Sequence, residues 1–560
     1  MAHGIFHTIA HSVAHGAKHG GLTLSTFSDF LILGVGQSNA VGFTDYARSG
    51  TTTVENSGKG QSGGDSALLL GSSFPACNFF QHWQAAGSNP LNMTIVSPGP
   101  LKNYAAAGQA DNTGWANGLG RALVRYGLYT APAIGICGVG STSLNSQWAK
   151  TSGYPGSGEK LYDHFIAFAR SLMATYGRPI DLMIDYLSET DSQTIGAVTA
   201  QTDRTTWWSN IRADLGLPTL KILTVIINSE WDSTPFSTAT YQVAQIAAAT
   251  ADGNATTIDP SCYPLDHYPH YLAADYAALG EMMAIQLRDQ LQPGKSINLG
   301  PGPSPWFQGS HGAFSSNSGI GGNLCTARPR GYAHPEVGDI EVLVTEMSPS
   351  TGTNTTLTTA AGFTSLIAQT RSINGGAERT LAVWTRTIDS TMLNARTAGA
   401  DGVKRGPVAT PVVDFGLNTL NLAVIFSVRG SSGITVTPTT GTAISGTSVS
   451  IPGFTTTSNN SLVMLIGLCN QALGSPGTTF TNAGLTGVAT QRDGQMNPGA
   501  GVINYAMATG VRATAGAVGS TSCVFGNGAI NSVNVGCAIV FNPSALQPTL
   551  HPVLDNSPQM

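Results

Sequence analysis

Charged side chains are scarce in this sequence of 560 residues: 26 are basic and 31 acidic, and the net charge is −5. Such a chain lacks the basic face that binding to nucleic acid requires. No apolar run approaches the roughly 18 to 20 residues needed to span a bilayer. The seven cysteines are scattered and form no CxxC pair. The sequence therefore shows no sign of a zinc site or of a disulfide framework. We therefore expect no nucleic-acid partner, no membrane span and no metal.

Apolar residues are sufficient for folded cores, at 41% of the chain. The length is too great for one core and suits several domains. The 68 glycines and 29 prolines are many for a helical enzyme and typical of turn-rich β structure.

The first 21 residues carry a histidine at every fourth position. On a helix this spacing forms a slowly winding stripe beside a parallel apolar stripe. A metal-binding histidine ladder is one interpretation. The favoured one is an amphipathic anchoring helix that docks into a partner or self-associates. The segment has no unbroken apolar core and does not resemble a signal peptide, so we expect synthesis in a reducing cytoplasm. The histidines are His3, His7, His11, His15 and His19.

Residues 22–291 alternate short apolar runs with helical stretches, which predicts a parallel sheet covered on both faces, an α/β three-layer domain. The predicted strands are 30–36, 131–139, 180–187 and 220–228, and the predicted helices are 115–127, 160–177, 202–216 and 278–291. Trp207 and Trp208 lie on one of these helices, and core packing is favoured for them over stacking on a sugar.

The remaining chain has a different pattern. Residues 292–335 are rich in Gly, Pro and Ser and predict a linker. Residues 336–545 alternate in the manner of strands and predict an all-β sandwich region. A weak internal repeat pairs 339–347 with 461–468, 361–371 with 483–492, and 418–426 with 531–541, which indicates two related halves. Residues 546–560 are interpreted as a tail.

Polar residues follow the predicted strands of the α/β domain, where functional loops of a parallel sheet collect. Strand 30–36 runs into the sequence GQSNA, whose Ser38 is a candidate nucleophile at a sharp turn. The second strand ends at Gly140, and the third is followed by Glu189 and Asp191. Late in the domain comes the sequence DHYPH (266–270). A serine, a glycine turn, a polar loop and a late Asp/His pair together predict a hydrolase.

These blocks resemble the SGNH/GDSL hydrolase superfamily, in its carbohydrate-esterase branch of sialate O-acetylesterases and acetylxylan esterases. Its first block, GQSNx, matches residues 36–40; a Gly-rich turn matches 140–143; QGE(S/T)(D/N) matches 187–191; and a late His followed by YxxLG matches 270–280. The resemblance implies a flavodoxin-like α/β fold and a serine esterase without a cofactor. It covers about half of the chain.

The resemblance assigns roles to individual residues. Ser38 is the nucleophile, His270 the general base and Asp266 the group that orients it, with His267 as the alternative base. The backbone N–H groups of Ser38 and Gly140 hold the oxyanion.

Gln37, Asn39, Glu189 and Asp191 are expected to form the architecture of the site. Asp191 stands where the family places a donor, but an ionised carboxylate cannot donate, so we expect it either to match a donor in position only or to organise the loop. The chain departs from the family at Leu187 and Ser188, which replace Gln and Gly, and at Ser141, which replaces Gly.

The C-terminal region weakly resembles β-sandwich modules of tailed-phage virion proteins. Their pattern matches Gly338-Asp339, Trp384 and residues 424–430. It implies a virion fibre, spike or tail protein whose N-terminal helix contacts other virion proteins and whose middle removes O-acetyl or similar short acyl groups from host surface polysaccharide. Fibres of this kind are commonly trimers, so a homo-oligomer is expected. The alternatives are a non-catalytic receptor-binding or decoration protein on an esterase scaffold, and a bacterial polysaccharide esterase with a carbohydrate-binding sandwich.

Overall fold

The computed structural model describes the chain in segments between residues 28 and 544. The predicted anchoring helix (1–21) and tail (546–560) lie outside the described residues. Described are residues 28–41, 74–84, 94–101, 104–106, 109–112, 114–125, 127–153, 160–193, 195–231, 238–263, 265, 271, 273–291, 306–316, 326–327, 335–349, 362–374, 377–408, 413–414, 419–436, 440–445, 448–469, 479–496, 503–524 and 531–544.

A seven-stranded sheet forms the centre of the N-terminal half. Its strands are β1 (Phe30–Gly36), β2 (Phe74–Gln84), β3 (Thr94–Leu101), β6 (Pro132–Val139), β7 (Leu182–Tyr186), β8 (Lys221–Val225) and β9 (Ala255–Ile258); β4 (Tyr104–Ala106) and β5 (Gln109–Asn112) pair separately. The order is β3-β2-β6-β1-β7-β8-β9, and only β3 runs antiparallel to its neighbour. The run β6-β1-β7-β8-β9 is the flavodoxin-like order, which confirms the predicted fold class.

Helices cover both faces of this sheet. They are α1 (Ser38–Val41), α2 (Trp115–Arg125), α3 (Leu161–Tyr176), α4 (Glu189–Ser192), α5 (Ala197–Leu215), α6 (Thr238–Ala251) and α7 (Ala273–Leu291), and a π-helical turn spans Leu144–Trp148. One core lies between the sheet and helices α2 and α7, and a second between the sheet and helices α3, α5 and α6. Trp207 and Trp208 are buried in the second core, as predicted.

The predicted strands and helices of this domain correspond to β1, β6, β7, β8, α2, α3, α5 and α7. The helix predicted at 202–216 begins earlier, at Ala197, and the helix predicted at 278–291 begins at Ala273. Strands β2 to β5 and β9 and helix α6 were not predicted. Strand β9 and helix α6 are built largely from Ala and Thr and give a weak apolar period.

Two large antiparallel sheets form the C-terminal half and share one core. The first is built from β10 (Trp306–Ser316), β12 (Ile340–Pro349), β13 (Thr364–Asn374), β14 (Ala377–Thr387) and β16 (Thr419–Arg429). The second is built from β17 (Ser431–Val436), β18 (Thr440–Ser445), β21 (Ser461–Cys469), β23 (Thr486–Met496), β24 (Ile503–Arg512) and β27 (Asn531–Pro543). Apolar side chains from both sheets meet between them, as in a sandwich.

Smaller pieces complete this half of the chain. They are β11 (Thr326–Ala327) with β15 (Val413–Asp414), β19 (Ser448–Ile451) with β26 (Thr521–Val524) and β22 (Thr479–Thr481), β20 (Phe454–Thr456) with β25 (Gly516–Val518), and helix α8 (Ser390–Asn394). The strands β19, β20, β25 and β26 pack on the outer face of the second large sheet. Within the described residues, no helix is long and apolar enough to cross a bilayer.

The two large sheets have the same strand order. The first runs β10-β16-β12-β14-β13 and the second runs β17-β27-β21-β24-β23. The segments paired by the sequence repeat fall on β12 and β21, β13 and β23, and β16 and β27, which occupy matching positions in the two sheets.

The segment 292–335, predicted as a linker, contributes β10 to the edge of the first large sheet, where it pairs with β16. The sheet therefore begins before residue 336. A Gly- and Ser-rich edge strand can form because its ladder depends on backbone groups, while the apolar pattern used for prediction depends on side chains.

The pattern at 338–339 and 424–430 has a structural basis in an ion pair. The carboxylate of Asp339 accepts two hydrogen bonds of 2.8 Å from the guanidinium of Arg429, and both side chains are buried. Gly338 has a φ of +92°, in the left-handed region that favours glycine. The pair joins the start of β12 to the end of β16.

Candidate active site

Strands β1, β6 and β7 end at the same level of the sheet. Gly36 at the end of β1 lies opposite Gly138 of β6 on one side and Tyr186 of β7 on the other. The three predicted loops, 36–40, 140–143 and 187–191, therefore leave the sheet side by side at its carboxyl edge. The strand order reverses at β1, where open α/β sheets bind their ligands.

The turn after β1 requires a glycine at position 36. A Cβ atom there would lie 2.4 Å from the Cβ of Ala40 and 2.4 Å from the carbonyl oxygen of Tyr186. The chain then enters α1, and the indole Nε1 of Trp115 donates a 3.0 Å hydrogen bond to the carbonyl of Ala40. The small residues of GQSNA thus allow the sharp turn that presents Ser38.

The two neighbours of Ser38 are buried and held by the loop after β7. Gln37 and Asn39 are each 2% exposed, whereas Ser38 is half-buried. The hydroxyl of Thr190 donates to Oε1 of Gln37 at 2.8 Å, and Nδ2 of Asn39 donates to Oε1 of Glu189 at 2.7 Å. These bonds fix the backbone on both sides of Ser38 and leave its side chain partly accessible.

Asn39 also connects to helix α7. The hydroxyl of Tyr276 donates to Oδ1 of Asn39. Four residues on, a Cβ atom at Gly280 would lie 1.9 Å from the carbonyl oxygen of Trp115, so α7 and α2 approach at backbone distance. The Tyr and Gly of the YxxLG pattern therefore bring the last block of the domain to the first.

Burial raises the pKa of the Glu189 carboxyl, and the hydrogen bond from Asn39 acts in the opposite direction. Glu189 is 7% exposed and begins α4. Its contact with Asn39 joins the loop after β7 to the loop after β1.

Asp191 joins the loop after β7 to the loop after β6. Its carboxylate accepts hydrogen bonds of 2.8 and 2.9 Å from the backbone N–H of Leu144 and a longer one, 3.4 Å, from that of Asn145. Burial raises the pKa of Asp191 to about 7, and the bond from Leu144 opposes this rise. Through these contacts Asp191 holds the start of the π-helical turn at Leu144–Trp148.

The turn after β6 contains a residue in the left-handed region. Ser141 has a φ of +56°, at the position where the family usually has glycine. Thr142 holds the turn, since its hydroxyl donates to the carbonyl of Val139 at 2.8 Å and accepts from Nε1 of Trp148 at 2.8 Å. Gly140, the predicted oxyanion donor, is half-buried at the start of this turn.

Asp266, His267 and His270 lie outside the described residues, but the residues on either side of them are described. Nδ2 of Asn228 donates to the carbonyl of Tyr263 at 2.8 Å and to the hydroxyl of Tyr271 at 3.0 Å. The ring of Tyr271 packs edge-on against that of Tyr276, with centroids 5.3 Å apart. Tyr271 therefore lies directly beside Tyr276, the residue that contacts Asn39.

Sequence reasoning missed Asn228 and a buried ion pair below the site. Arg204 on α5 donates to the carboxylate of Asp185 in β7, to the carbonyl of Leu187, and to the hydroxyl of Thr224 at 2.9 Å. These bonds fix the backbone from which the loop 187–191 departs. Two signals were available: Asp185 is a lone acid in an apolar strand, and Asn228 ends the apolar run of β8.

Metal ligands do not converge in the described part of the chain, where no group of three or more His, Cys, Asp or Glu side chains is arranged to hold an ion.

Three solved structures resemble this chain. A protein from Arabidopsis thaliana is 17% identical, with a TM-score of 0.31, and the match covers 46% of this chain and 97% of that one. A carbohydrate acetylesterase from Xanthomonas citri is 14% identical, with a TM-score of 0.34 and coverages of 70% and 80%. A carbohydrate esterase family 2 enzyme with a carbohydrate-binding domain, from Corynascus thermopiles (Myceliophthora fergusii), is 13% identical, with a TM-score of 0.28 and coverages of 49% and 69%. At these values the likenesses carry no inference about function.

No protein in the curated collection searched matches this chain. Residues 29–289 match the family described as carbohydrate esterase, sialic acid-specific acetylesterase. This range contains all the residues that meet at the carboxyl edge of the sheet. Residues 29–289 are therefore a carbohydrate O-acetylesterase family domain.

Proposed function

We propose that this protein is a serine esterase that removes O-acetyl or similar short acyl groups from a polysaccharide. The observation that carries the proposal is the state of Ser38. Its neighbours Gln37 and Asn39 are buried and hydrogen-bonded to the loop after β7, while Ser38 is half-buried at the carboxyl edge of the sheet. A nucleophile needs this combination of a fixed backbone and an accessible hydroxyl.

The proposed reaction proceeds in two steps through an acyl-enzyme. Ser38 Oγ attacks the ester carbonyl while His270 takes its proton, and the oxyanion is held by the backbone N–H groups of Ser38 and Gly140. The attack forms a tetrahedral intermediate. When it collapses, the ester bond breaks, the acyl group stays on Ser38, and His270 gives the proton to the sugar oxygen that leaves. Water, activated by the same histidine, then hydrolyses the acyl-serine and releases acetate. Asp266 orients the imidazole.

We further propose a biological context for this activity, based on the sequence pattern of the C-terminal half and on the N-terminal histidine stripe. In this setting the protein is part of a phage virion, and its substrate is a host capsule or O-antigen. Other virion proteins contact the segment 1–21, and the chain forms a homo-oligomer. Virions purified by density gradient would contain the chain, detectable by mass spectrometry, and would release acetate from the host polysaccharide. Its absence from such particles would refute this part and favour a bacterial polysaccharide esterase.

The catalytic part is tested by hydrolysis of a small acetyl ester. We expect Ser38→Ala and His270→Ala to lower kcat/KM by at least about 10³-fold. Ser171→Ala is the matched control, since Ser171 is exposed on α3, outside the loops that form the site.

Each other outcome has a distinct meaning. Full activity in Ser38→Ala would refute the nucleophile. Activity in His270→Ala but not in His267→Ala would move the base to His267. A parent protein that binds acetylated polysaccharide and releases no acetate would be the non-catalytic receptor-binding protein.

A further inference from the structure

An excursion of the C-terminal half reaches the esterase domain. Residues 389–408, here called the docking loop, leave the first large sheet after β14 and contain helix α8. The loop closes on itself, since Gly399 N donates to the carbonyl of Val403 at 3.0 Å and a guanidinium N–H of Arg396 donates to that of Gly406 at 3.1 Å. It is therefore a folded unit, not an extended connection.

The docking loop contacts the α/β domain at the end of β9 and on α7. The backbone N–H of Ala400 donates to Oδ2 of Asp259 at 2.5 Å, and Nη2 of Arg405 donates to Oε1 of Gln286 at 3.0 Å. Asp259 is 3% exposed. A charge-assisted hydrogen bond to a buried carboxylate is among the stronger polar contacts in proteins.

The fit is close enough to require glycine at Gly406 of the docking loop. A Cβ atom at Gly406 would lie 2.6 Å from Sγ and 2.7 Å from Cβ of Cys262. Cys262 in turn packs on α7, with its sulfur 3.9 Å from that of Met282. The docking loop is thus in direct contact with the residues that follow β9.

These residues run into the segment that carries Asp266, His267 and His270. The other carboxylate oxygen of Asp259 accepts a 2.8 Å hydrogen bond from Ser261 N, and Tyr263 N donates to the carbonyl of Pro260 at 2.9 Å. Asn228 holds the carbonyl of Tyr263, as described above. A continuous series of contacts therefore joins the docking loop to the residues just before the predicted base.

We propose that the docking loop is a positioning element of the esterase site, which fixes residues 259–263 and thereby the approach of the catalytic histidine to Ser38. This inference rests on the proposed function. It assigns part of the β-sheet half of the chain to the catalytic unit. Because a displacement of about 1 Å can cost about 100-fold in rate, a small shift of this segment is enough to slow catalysis.

The test compares two glycines of the docking loop in the full-length protein. Gly402 and Gly406 both have a φ of +78°, so alanine strains the backbone equally at each. At Gly402 a Cβ atom has nothing within 4 Å, whereas at Gly406 it meets Cys262. The difference between Gly406→Ala and Gly402→Ala therefore reports the contact with the esterase domain alone.

Two measurements are made on each variant: kcat and KM for a small acetyl ester, and hydrogen exchange of the Ser261 and Tyr263 amides. In Gly406→Ala we expect the Ser261 and Tyr263 amides to exchange at least about tenfold faster than in the parent. We also expect kcat to fall by about 10- to 100-fold with little change in KM. Gly402→Ala shares the backbone strain but not the clash with Cys262, so it is expected to change both quantities much less than Gly406→Ala does. Cys262→Gly added to Gly406→Ala removes the clash and is expected to restore both.

The proposal is overturned if the two glycine variants exchange and react alike, or if Gly406→Ala speeds exchange without lowering kcat. An inert parent protein would instead contradict the proposed function, and the exchange rates would then still decide whether the docking loop fixes residues 259–263.

Discussion

Replacement of Arg204 by methionine tests two effects of its buried ion pair with Asp185: the effect on stability and the effect on the position of the loop 187–191. Both side chains are at most 1% exposed, and Arg204 also holds the carbonyl of Leu187. Removing one partner of a buried pair leaves an uncompensated charge, which typically costs 3–5 kcal/mol. We expect Arg204→Met to lower the free energy of unfolding by about that amount. Arg170→Met, on the exposed face of α3, is expected to cost less than about 1 kcal/mol.

A second substitution removes the charge and one of the two acceptor oxygens. In Asp185→Asn the amide oxygen can still accept from Nε1 of Trp208, which now donates at 3.0 Å, while the amide nitrogen replaces the oxygen that accepts from the backbone N–H of Leu187 at 3.2 Å. We expect Asp185→Asn added to Arg204→Met to recover about 2 kcal/mol, a coupling within the usual range for residues in contact. Activity is not expected to recover, because the carbonyl of Leu187 still lacks its donor and the loop 187–191 is no longer fixed.

Urea unfolding followed by tryptophan fluorescence, with kinetics on an acetyl ester, measures both quantities. If Arg204→Met and Asp185→Asn prove additive, the pair does not carry the energy argued for it. If the double variant regains full activity, the bond to Leu187 does not position the loop.

Two further substitutions test the loops around Ser38. Gly36→Ala places a Cβ atom 2.4 Å from the carbonyl oxygen of Tyr186 and is expected to lower the free energy of unfolding by at least about 1–3 kcal/mol and to remove most of the esterase activity. Gly253→Ala is the control, because its Cβ atom would have nothing within 4 Å, and it is expected to change neither quantity. Urea titration measures the stability and an ester assay measures the activity. Burial raises the pKa of Asp191 from 3.8 to about 7, so the folded protein holds a proton between these values that the unfolded chain releases, and stability falls as pH rises through that window, by up to about 4 kcal/mol. Asp191→Asn is expected to remove this contribution and so to reduce the slope of stability against pH in unfolding experiments from pH 4 to 7, while Glu189, whose pKa burial also raises, keeps part of the fall. An unchanged slope would contradict the assignment.

The sheet of the esterase domain could be predicted because its strands are buried on both faces. Strands β1, β6, β7 and β8 are near-continuous apolar runs, as a sheet covered on both faces requires, and their alternation with helical stretches indicates a parallel sheet. Strand β9, ATTI, is short and its first three residues are only half-buried, so it carries no comparable signal.

The strand ends predicted which residues gather at the site, but not which of them meet. Asn39 and Glu189 are 150 positions apart, and their contact follows from the adjacency of β1 and β7. Sequence spacing does not contain that adjacency. The same holds for Asn228, which is buried and whose side chain contacts Tyr263 and Tyr271, 35 and 43 positions away. No local pattern predicts those contacts.

The docking loop was not foreseen for a related reason. Asp259 and Ala400 are 141 positions apart in regions predicted as separate domains. A boundary drawn from composition marks where the pattern of side chains changes, and contacts across it depend on the packed surfaces of both sides.

Leu187 and Ser188 depart from the family, and their burial bears on the choice between enzyme and scaffold. Both are fully buried, and Leu187 packs in the core between the sheet and helices α3, α5 and α6. The next two residues, Glu189 and Thr190, still reach Asn39 and Gln37. The replacements therefore alter the packing beneath the loop and leave the contacts that fix Ser38 in place. If these departures had inactivated the site, the contacts that hold Gln37 and Asn39 should be missing. They are present, so the departures do not favour a non-catalytic protein built on an esterase scaffold.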